Sequence, residues 1–207
     1  MKAKFIVVEG LEGAGKSSLM PAVVNWLEQR LKVRVITTRE PGGTKIAEQL
    51  RSIIKHGIEE EHLSPMGEVL LLYAARLQLI EQVIKPALEQ EIWVVGDRHD
   101  FSTLAYQGAG RSLPFDQLKQ VRDVTLGDFR PDLTLYLDLD PELGMQRARS
   151  RGELDRIERQ HIDFFHRARA RYQQLVAEEP KAVTIDASQT PEQVQQSVLS
   201  VLEQKFC

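Results

Sequence analysis

A short apolar, β-branched run, Lys4–Glu9 (KFIVVE), leads directly into Gly10-Leu11-Glu12-Gly13-Ala14-Gly15-Lys16-Ser17, and a stretch with helical apolar spacing, Ser17–Leu31, follows at once. Strand, glycine-rich turn of the form G-x-x-x-x-G-K-S, and helix in immediate succession leave few folds open. The glycines let successive backbone N–H groups point inward, and the helix adds the positive end of its dipole, so the turn is built as a cradle for phosphate oxygens. Gly10, Leu11, Glu12, Gly13, Ala14, Gly15, Lys16, Ser17 and the adjoining Ser18 are therefore the expected phosphate-binding residues. Lys16 would reach the outer phosphates and Ser17 would ligate Mg²⁺, which implies a nucleoside triphosphate, ATP or GTP. No N-K-x-D or D-x-x-G sequence occurs, so the parts that read guanine and sense hydrolysis are missing, and a kinase is expected over a GTPase.

The remaining chain alternates in the same way. Val33–Thr37, Ile92–Val95, Leu133–Leu139 and Val183–Ile185 read as four further buried strands; Thr44–Ile54, Pro65–Leu88, Pro114–Leu126, Pro141–Arg149, Glu158–Val176 and Pro191–Phe206 read as helices. Such alternation predicts an α/β fold, a five-stranded parallel sheet with helices on both faces, whose ligands sit at the carboxyl ends of the strands. The loops after Glu9, Thr38, Val95 and Leu139 should hold the site. Pro21 falls early in the first helix, where a local distortion is tolerable. Arg147–Arg159 (RARSRGELDRIER) is dense in charge around a glycine and reads as an excursion from the core. A chain of 207 residues without an interdomain linker is expected to form one domain, residues 1–207.

With 27 Lys and Arg against 30 Asp and Glu, a net charge of −3, nothing global attracts a polyanion, so no nucleic-acid partner is expected and anion binding must come from local clusters. The single cysteine, Cys207, permits no intramolecular disulfide or Cys-based zinc site, and the five histidines show no metal-ligand grouping. The apolar run Phe5–Val8 is too short for a secretory signal, and Val69–Ile80, the richest apolar stretch, contains Arg76 and cannot span a bilayer. A soluble, cytoplasmic protein with small-molecule partners and no membrane association is expected.

Two clusters follow strands at the expected ligand edge: Arg39-Glu40-Pro41-Gly42-Gly43-Thr44 and Asp97-Arg98-His99. Together with EGLEGAGKS, YAAR, AYQG and RGELDRIE they form an ordered set, running from Phe5 to about Asp186, that resembles bacterial thymidylate kinase, a P-loop nucleoside monophosphate kinase. The resemblance implies transfer of the γ-phosphoryl group of ATP to dTMP, giving dTDP on the way to dTTP, with Mg²⁺ as cofactor, in a homodimer.

Residue by residue, the resemblance puts Arg98, Arg39 and Arg51 around the acceptor monophosphate, where planar forks can hold two oxygens each. For Arg51 a surface ion pair is an equal alternative. Asp97 would stand near Mg²⁺ or its waters, a structural strand cap being the competing role. Arg76 matches the arginine that reads the thymine edge, and Thr103 and Gln107 fall where side chains bond the base. Tyr106 matches the tyrosine set against the deoxyribose, leaving no room for a 2′-hydroxyl. Glu12 is expected to face away from the phosphates, either toward a sugar hydroxyl of the second nucleotide or as a solvated loop-tip charge. Leu72 stands where many relatives carry a Phe stacked on thymine.

The segment 147–158 resembles the family's arginine-rich lid. None of Leu11, Glu12, Gly13 and Ala14 is basic, which resembles the subgroup of the family whose lid supplies the missing cation; the resemblance thus implies a lid arginine, and Arg151 is the residue chosen over Arg147, Arg149 and Arg156. Lys16, Arg98, Arg151 and Asp97 form the expected catalytic set, with no general base, because a phosphate monoester dianion is already a nucleophile. A kinase for another nucleoside monophosphate or a deoxynucleoside, and a non-catalytic nucleotide-binding protein of the same fold, are the two rival readings.

Overall fold

Every residue of Phe5–Gly10 (β1) is buried, a condition that a strand meets in the middle of a sheet covered on both faces. In the computed structural model, which describes residues 2–150 and 152–207, β1 has that position. With β2 (Val35–Arg39), β3 (Trp93–Asp97), β4 (Leu133–Asp138) and β5 (Ala182–Asp186), it forms a five-stranded sheet in the order β2-β3-β1-β4-β5, all of it parallel. The chain leaves β1 between two neighbours that belong to opposite halves of the sheet, which opens a crevice at their carboxyl ends. Register fixes what lines it: Asp97 pairs with both Val8 and Arg39, and Gly10 with Leu137.

Side chains alternate between two cores, as the pleat requires. Ile6, Val8, Trp93 and Val95 point to one side, where they meet Leu19, Val23 and Leu27 together with Val194, Val198 and Leu202; these come from α1 (Lys16–Trp26) with its continuation and from α9 (Pro191–Phe206). Phe5, Val7 and Val94 point to the other, against Val69, Tyr73 and Leu79 of α3 (Pro65–Leu79) and Leu118 of α6 (Phe115–Leu126). Between α2 (Lys45–His56) and α3 lies the segment 57–64. Caps mark the starts read from sequence: Thr44 accepts from the Ala47 N–H, Ser64 from Gly67, and Thr190 with Gln193 completes a reciprocal box.

Three departures from the sequence expectation bear on the site. The helix expected over 65–88 is continuous but passes through a π-helical stretch, Ile80–Ile84, before α4 (Lys85–Glu89). The stretch after β3, expected as a loop, is helical: α5 (Asp100–Thr103) runs into a π-helical turn, Leu104–Gly110. The helix expected from Glu158 starts later, as α8 (Ile162–Glu178), because Asp155 Oδ1 accepts from the N–H groups of Ile157 and Glu158, both at 2.9 Å, and turns the chain first. Pro21 is accommodated inside α1.

Candidate active site

The crevice is a cleft of about 1150 Å³, its open mouth included. The phosphate loop forms its floor. Gly13 and Gly15 have φ of 71° and 92°, a left-handed backbone that side chains other than glycine adopt at a cost. Gly13 also rests against α7 (Pro141–Arg149), where an added Cβ would collide with the backbone of Gly144. Arg147 of the same helix reaches the carbonyls of Gly13 and Ala187, both at 3.4 Å. Lys16 is 8% exposed, and its ammonium donates to the carbonyls of Gly10 at 2.9 Å and Leu11 at 2.8 Å. Burial pulls its pKa from 10.5 down to about 8, helped by the nearby Arg98 charge and opposed by Asp97, Glu12 and Glu9. The lysine is thus held over the loop by carbonyls, with no ion pair among the described residues. Ser17 and Ser18 line the same floor, whereas Leu11 and Ala14 are buried in the cores and offer only backbone to it.

Beside the loop stands the cluster that follows β3. Arg98 has φ of 72°, an unusual conformation for a bulky residue, held by its N–H donating to Val8 O at 2.9 Å and by the His99 N–H donating to Glu9 Oε1 at 2.9 Å. Its guanidinium donates to Glu12 at 2.8 Å, Ser102 at 3.1 Å and the Tyr106 hydroxyl at 3.3 Å. Tyr106 in turn donates to the other Glu12 oxygen at 2.6 Å. Glu12 therefore turns toward the arginine side of the cleft. One oxygen of Asp97, buried, has no hydrogen-bond partner among the described residues, and the residue lines the cleft along with Ser17.

Farther from the loop, Arg76 is 2% exposed. It donates to Glu40 at 2.6 Å, to His99 O at 2.9 Å and to Thr103 at 3.0 Å, but its buried Nη1 makes no hydrogen bond among the described residues. Burial alone would raise the Glu40 pKa; the charges of Arg76 and His99 outweigh it and hold the carboxyl below its usual value. Gln107 lines the cleft through the π-helical turn that follows α5, and Leu72 forms an apolar part of the wall. Arg39 is paired with both oxygens of Glu48 at 2.9 and 2.8 Å, and Arg51 donates to Pro41 O at 2.7 Å; both reach the rim.

Three carboxylates behind these residues escaped the sequence reading. Glu9, 1% exposed, accepts from the backbone of His99 and Ser102, from the Ser102 hydroxyl at 2.7 Å and from Tyr172 at 2.9 Å. Burial raises its pKa against those bonds. Glu40 anchors Arg76, and Glu68 collects Gln107, Arg111 and Arg156. An acidic residue ending an otherwise apolar strand was the one visible signal for Glu9.

Asp155, Ile157 and Glu158 close one side of the cleft. Arg156 donates to Ile54 O at 2.9 and 2.7 Å, its N–H donates to Lys55 O, and Asp155 pairs with Lys55 at 3.1 Å. Arg151, expected above as the lid cation, lies outside the described residues.

A cradle of backbone amides and a buried lysine thus share one cleft with several arginines and a polar far end. Comparison with known proteins points the same way. The family model for thymidylate kinase matches residues 8–198. The chain is 56% identical over 194 residues to a thymidylate kinase of Photobacterium profundum, covering 94% of this chain and 93% of that protein. It is 53% identical over 204 residues to one of Vibrio parahaemolyticus, covering 99% and 97%. A match that spans the phosphate loop, the arginine cluster and the 147–158 segment alike makes this chain a member of the thymidylate kinase family.

Proposed function

We propose that this chain transfers the γ-phosphoryl group of ATP to the phosphate of dTMP, releasing ADP and dTDP. The observation that carries the reading is the shared cleft: Lys16 on the phosphate loop and Arg98 after β3 line one space, so two anionic nucleotides can be brought end to end. Phosphoryl transfer asks a protein mainly for alignment and charge neutralisation. Lys16, relieved of its two carbonyl contacts, turns to the transferring phosphates, and the triphosphate replaces the absent counter-charge. Arg98, with Arg39 and Arg51 at the rim, takes the acceptor phosphate in place of its present Glu12 and Ser102 partners. The acceptor oxygen attacks phosphorus as a dianion, so no side chain has to remove a proton.

The orphaned buried oxygen of Asp97 and the hydroxyl of Ser17, on one cleft wall, fit a Mg²⁺ ion that brings its remaining ligands as phosphate oxygens and water. When bound, the ion supplies charge neutralisation on the β- and γ-phosphates. At the far end, the Arg76 guanidinium, whose Nη1 makes no hydrogen bond among the described residues, with Thr103 and Gln107 suits a base edge, Leu72 suits its face, and the Tyr106 ring suits a sugar without a 2′-hydroxyl. Residues 147–158 act as a lid within a single 1–207 domain, with Arg151 its transition-state cation.

The protein works in the cytoplasm as a homodimer. Among the described residues no helix is long and apolar enough to cross a membrane, and Ile46, Leu70 and Val124 leave apolar side chains exposed on α2, α3 and α6. A coupled ADP-release assay across dTMP, dUMP, UMP, AMP, GMP and thymidine tests the reading. The highest kcat/KM is expected for dTMP. Preference for thymidine would overturn the acceptor, and binding of ATP and dTMP with no dTDP formed would make the protein a scaffold.

A further inference from the structure

Glu68, on α3, is a fully buried carboxylate that stands behind Gln107, one of the residues lining the cleft. It accepts from Gln107 Nε2 at 2.6 Å, from Arg111 at 2.8 and 3.0 Å, and from Arg156. Burial would favour the neutral acid, but the two arginines and the amide outweigh it and keep the group ionised. An ionised carboxylate only accepts hydrogen bonds, so the amide of Gln107 has one allowed orientation: nitrogen toward Glu68, oxygen away. That oxygen has no hydrogen-bond partner among the described residues, and the side chain lines the cleft. Arg76 lines the same cleft, and its Nη1, 3.8 Å from Asp100 Oδ1, makes no hydrogen bond among the described residues.

With that fixed acceptor opposite N3 of the base and the Arg76 guanidinium opposite position 4, a keto pyrimidine finds a partner for its N3–H and its carbonyl, whereas cytosine sets its N3 lone pair against the Gln107 oxygen and its 4-amino group against the guanidinium. We infer that Glu68 is a specificity-determining positioning residue: by locking the Gln107 amide it selects a keto pyrimidine over an amino pyrimidine, and by holding Arg156 it docks the 154–158 segment with the same carboxylate. The proposal rests on the nucleoside monophosphate kinase reading and deepens it. Base reading and lid docking are then linked through one charge, since Arg156 also ties Ile54 and Lys55 of α2 to the segment that covers the acceptor side. A glutamine in place of Glu68 can donate as well as accept, so the Gln107 amide is free to turn over.

The test compares kcat/KM for dCMP and dTMP, and hydrogen exchange of residues 154–158, in the full-length protein and its Glu68→Gln, Gln107→Leu and Arg156→Ala variants. Glu68→Gln is expected to raise the dCMP-to-dTMP ratio about tenfold, the scale of a discrimination set by one hydrogen-bonding group, and to speed exchange of the 154–158 amides. Arg156→Ala should speed that exchange while the ratio stays within about twofold, because Glu68 still holds Gln107. Gln107→Leu leaves Glu68 with both arginines and should raise the ratio by lowering dTMP turnover, which keeps the claim testable if Glu68→Gln does not fold. Loss of dTMP turnover in Glu68→Gln or Gln107→Leu at an unchanged ratio would overturn the inference, as would unchanged exchange at 154–158 in both Glu68→Gln and Arg156→Ala. An unsubstituted protein that phosphorylates neither pyrimidine nucleotide would instead remove the kinase reading beneath it.

Discussion

Lys16 is a charge that the folded, ligand-free protein keeps at a cost, and the cost can be measured. Its pKa falls from an ordinary 10.5 to about 8, and at about 1.4 kcal/mol per pKa unit this amounts to roughly 3 kcal/mol of lost stability while the lysine is charged in both states. The sign follows from proton counting. Below about pH 8 both states bind the proton and the whole penalty applies; between about pH 8 and 10.5 only the unfolded state keeps it, so stability rises with pH; above that range both are neutral and the term vanishes. Replacing Lys16 with Met removes the penalty and also removes the two donors to Gly10 O and Leu11 O, a loss of about 1–2 kcal/mol. Lys16→Met should therefore be about 1–2 kcal/mol more stable than the parent at pH 7, and about as much less stable near pH 10.5. Guanidinium melts of both proteins at about pH 7, 8.5 and 10, spanning the range between the two pKa values, give the difference directly. A difference that stays constant over that range would show that the buried ammonium carries no such penalty. Turnover should be lost in the variant at every pH, since the gain in stability comes from removing the group proposed to meet the phosphates.

The buried pair of Glu40 and Arg76 predicts a large effect on stability from the loss of one carboxylate. Glu40→Ala leaves the Arg76 guanidinium, 2% exposed, without its charge partner and should cost about 3–5 kcal/mol in a denaturant titration; a loss under about 1 kcal/mol would mean that Asp100, 3.8 Å from Arg76, already suffices. Arg151→Ala should lower kcat by ~10³-fold or more while calorimetric binding of dTMP persists, and unchanged turnover would refute the assignment of the lid cation.

The site was legible in sequence wherever chemistry depends on neighbours along the chain. The phosphate loop needs strand, glycines, lysine and helix in immediate order, and Asp97-Arg98 needs only to follow a strand that ends at the crevice. The carboxylates that position these groups were not legible. Glu40 meets Arg76, Glu68 meets Gln107, Arg111 and Arg156, and Glu9 meets Tyr172 across long stretches of chain, so no spacing announces them. Glu68 in particular sits at the start of α3 among residues that read as an ordinary capped helix. The 104–110 turn was missed for a different reason: π-helical geometry breaks the apolar spacing by which helices are recognised, although this turn carries Tyr106 and Gln107. The late start of α8 has a local cause in the Asp155 side chain, which competes with the helix for backbone donors.

The back-to-back glycines at 13 and 144 constrain how this enzyme could be re-engineered. A designer wishing to place a cation on the phosphate loop has four positions to try. Leu11 and Ala14 are packed into hydrophobic cores, Glu12 is held by Arg98 and Tyr106, and at Gly13 any side chain would drive α7 away from the loop. Grafting an arginine onto the loop at Gly13 would thus require a rebuilt α7 as well as a point substitution, so the loop cannot gain a positive charge there one residue at a time.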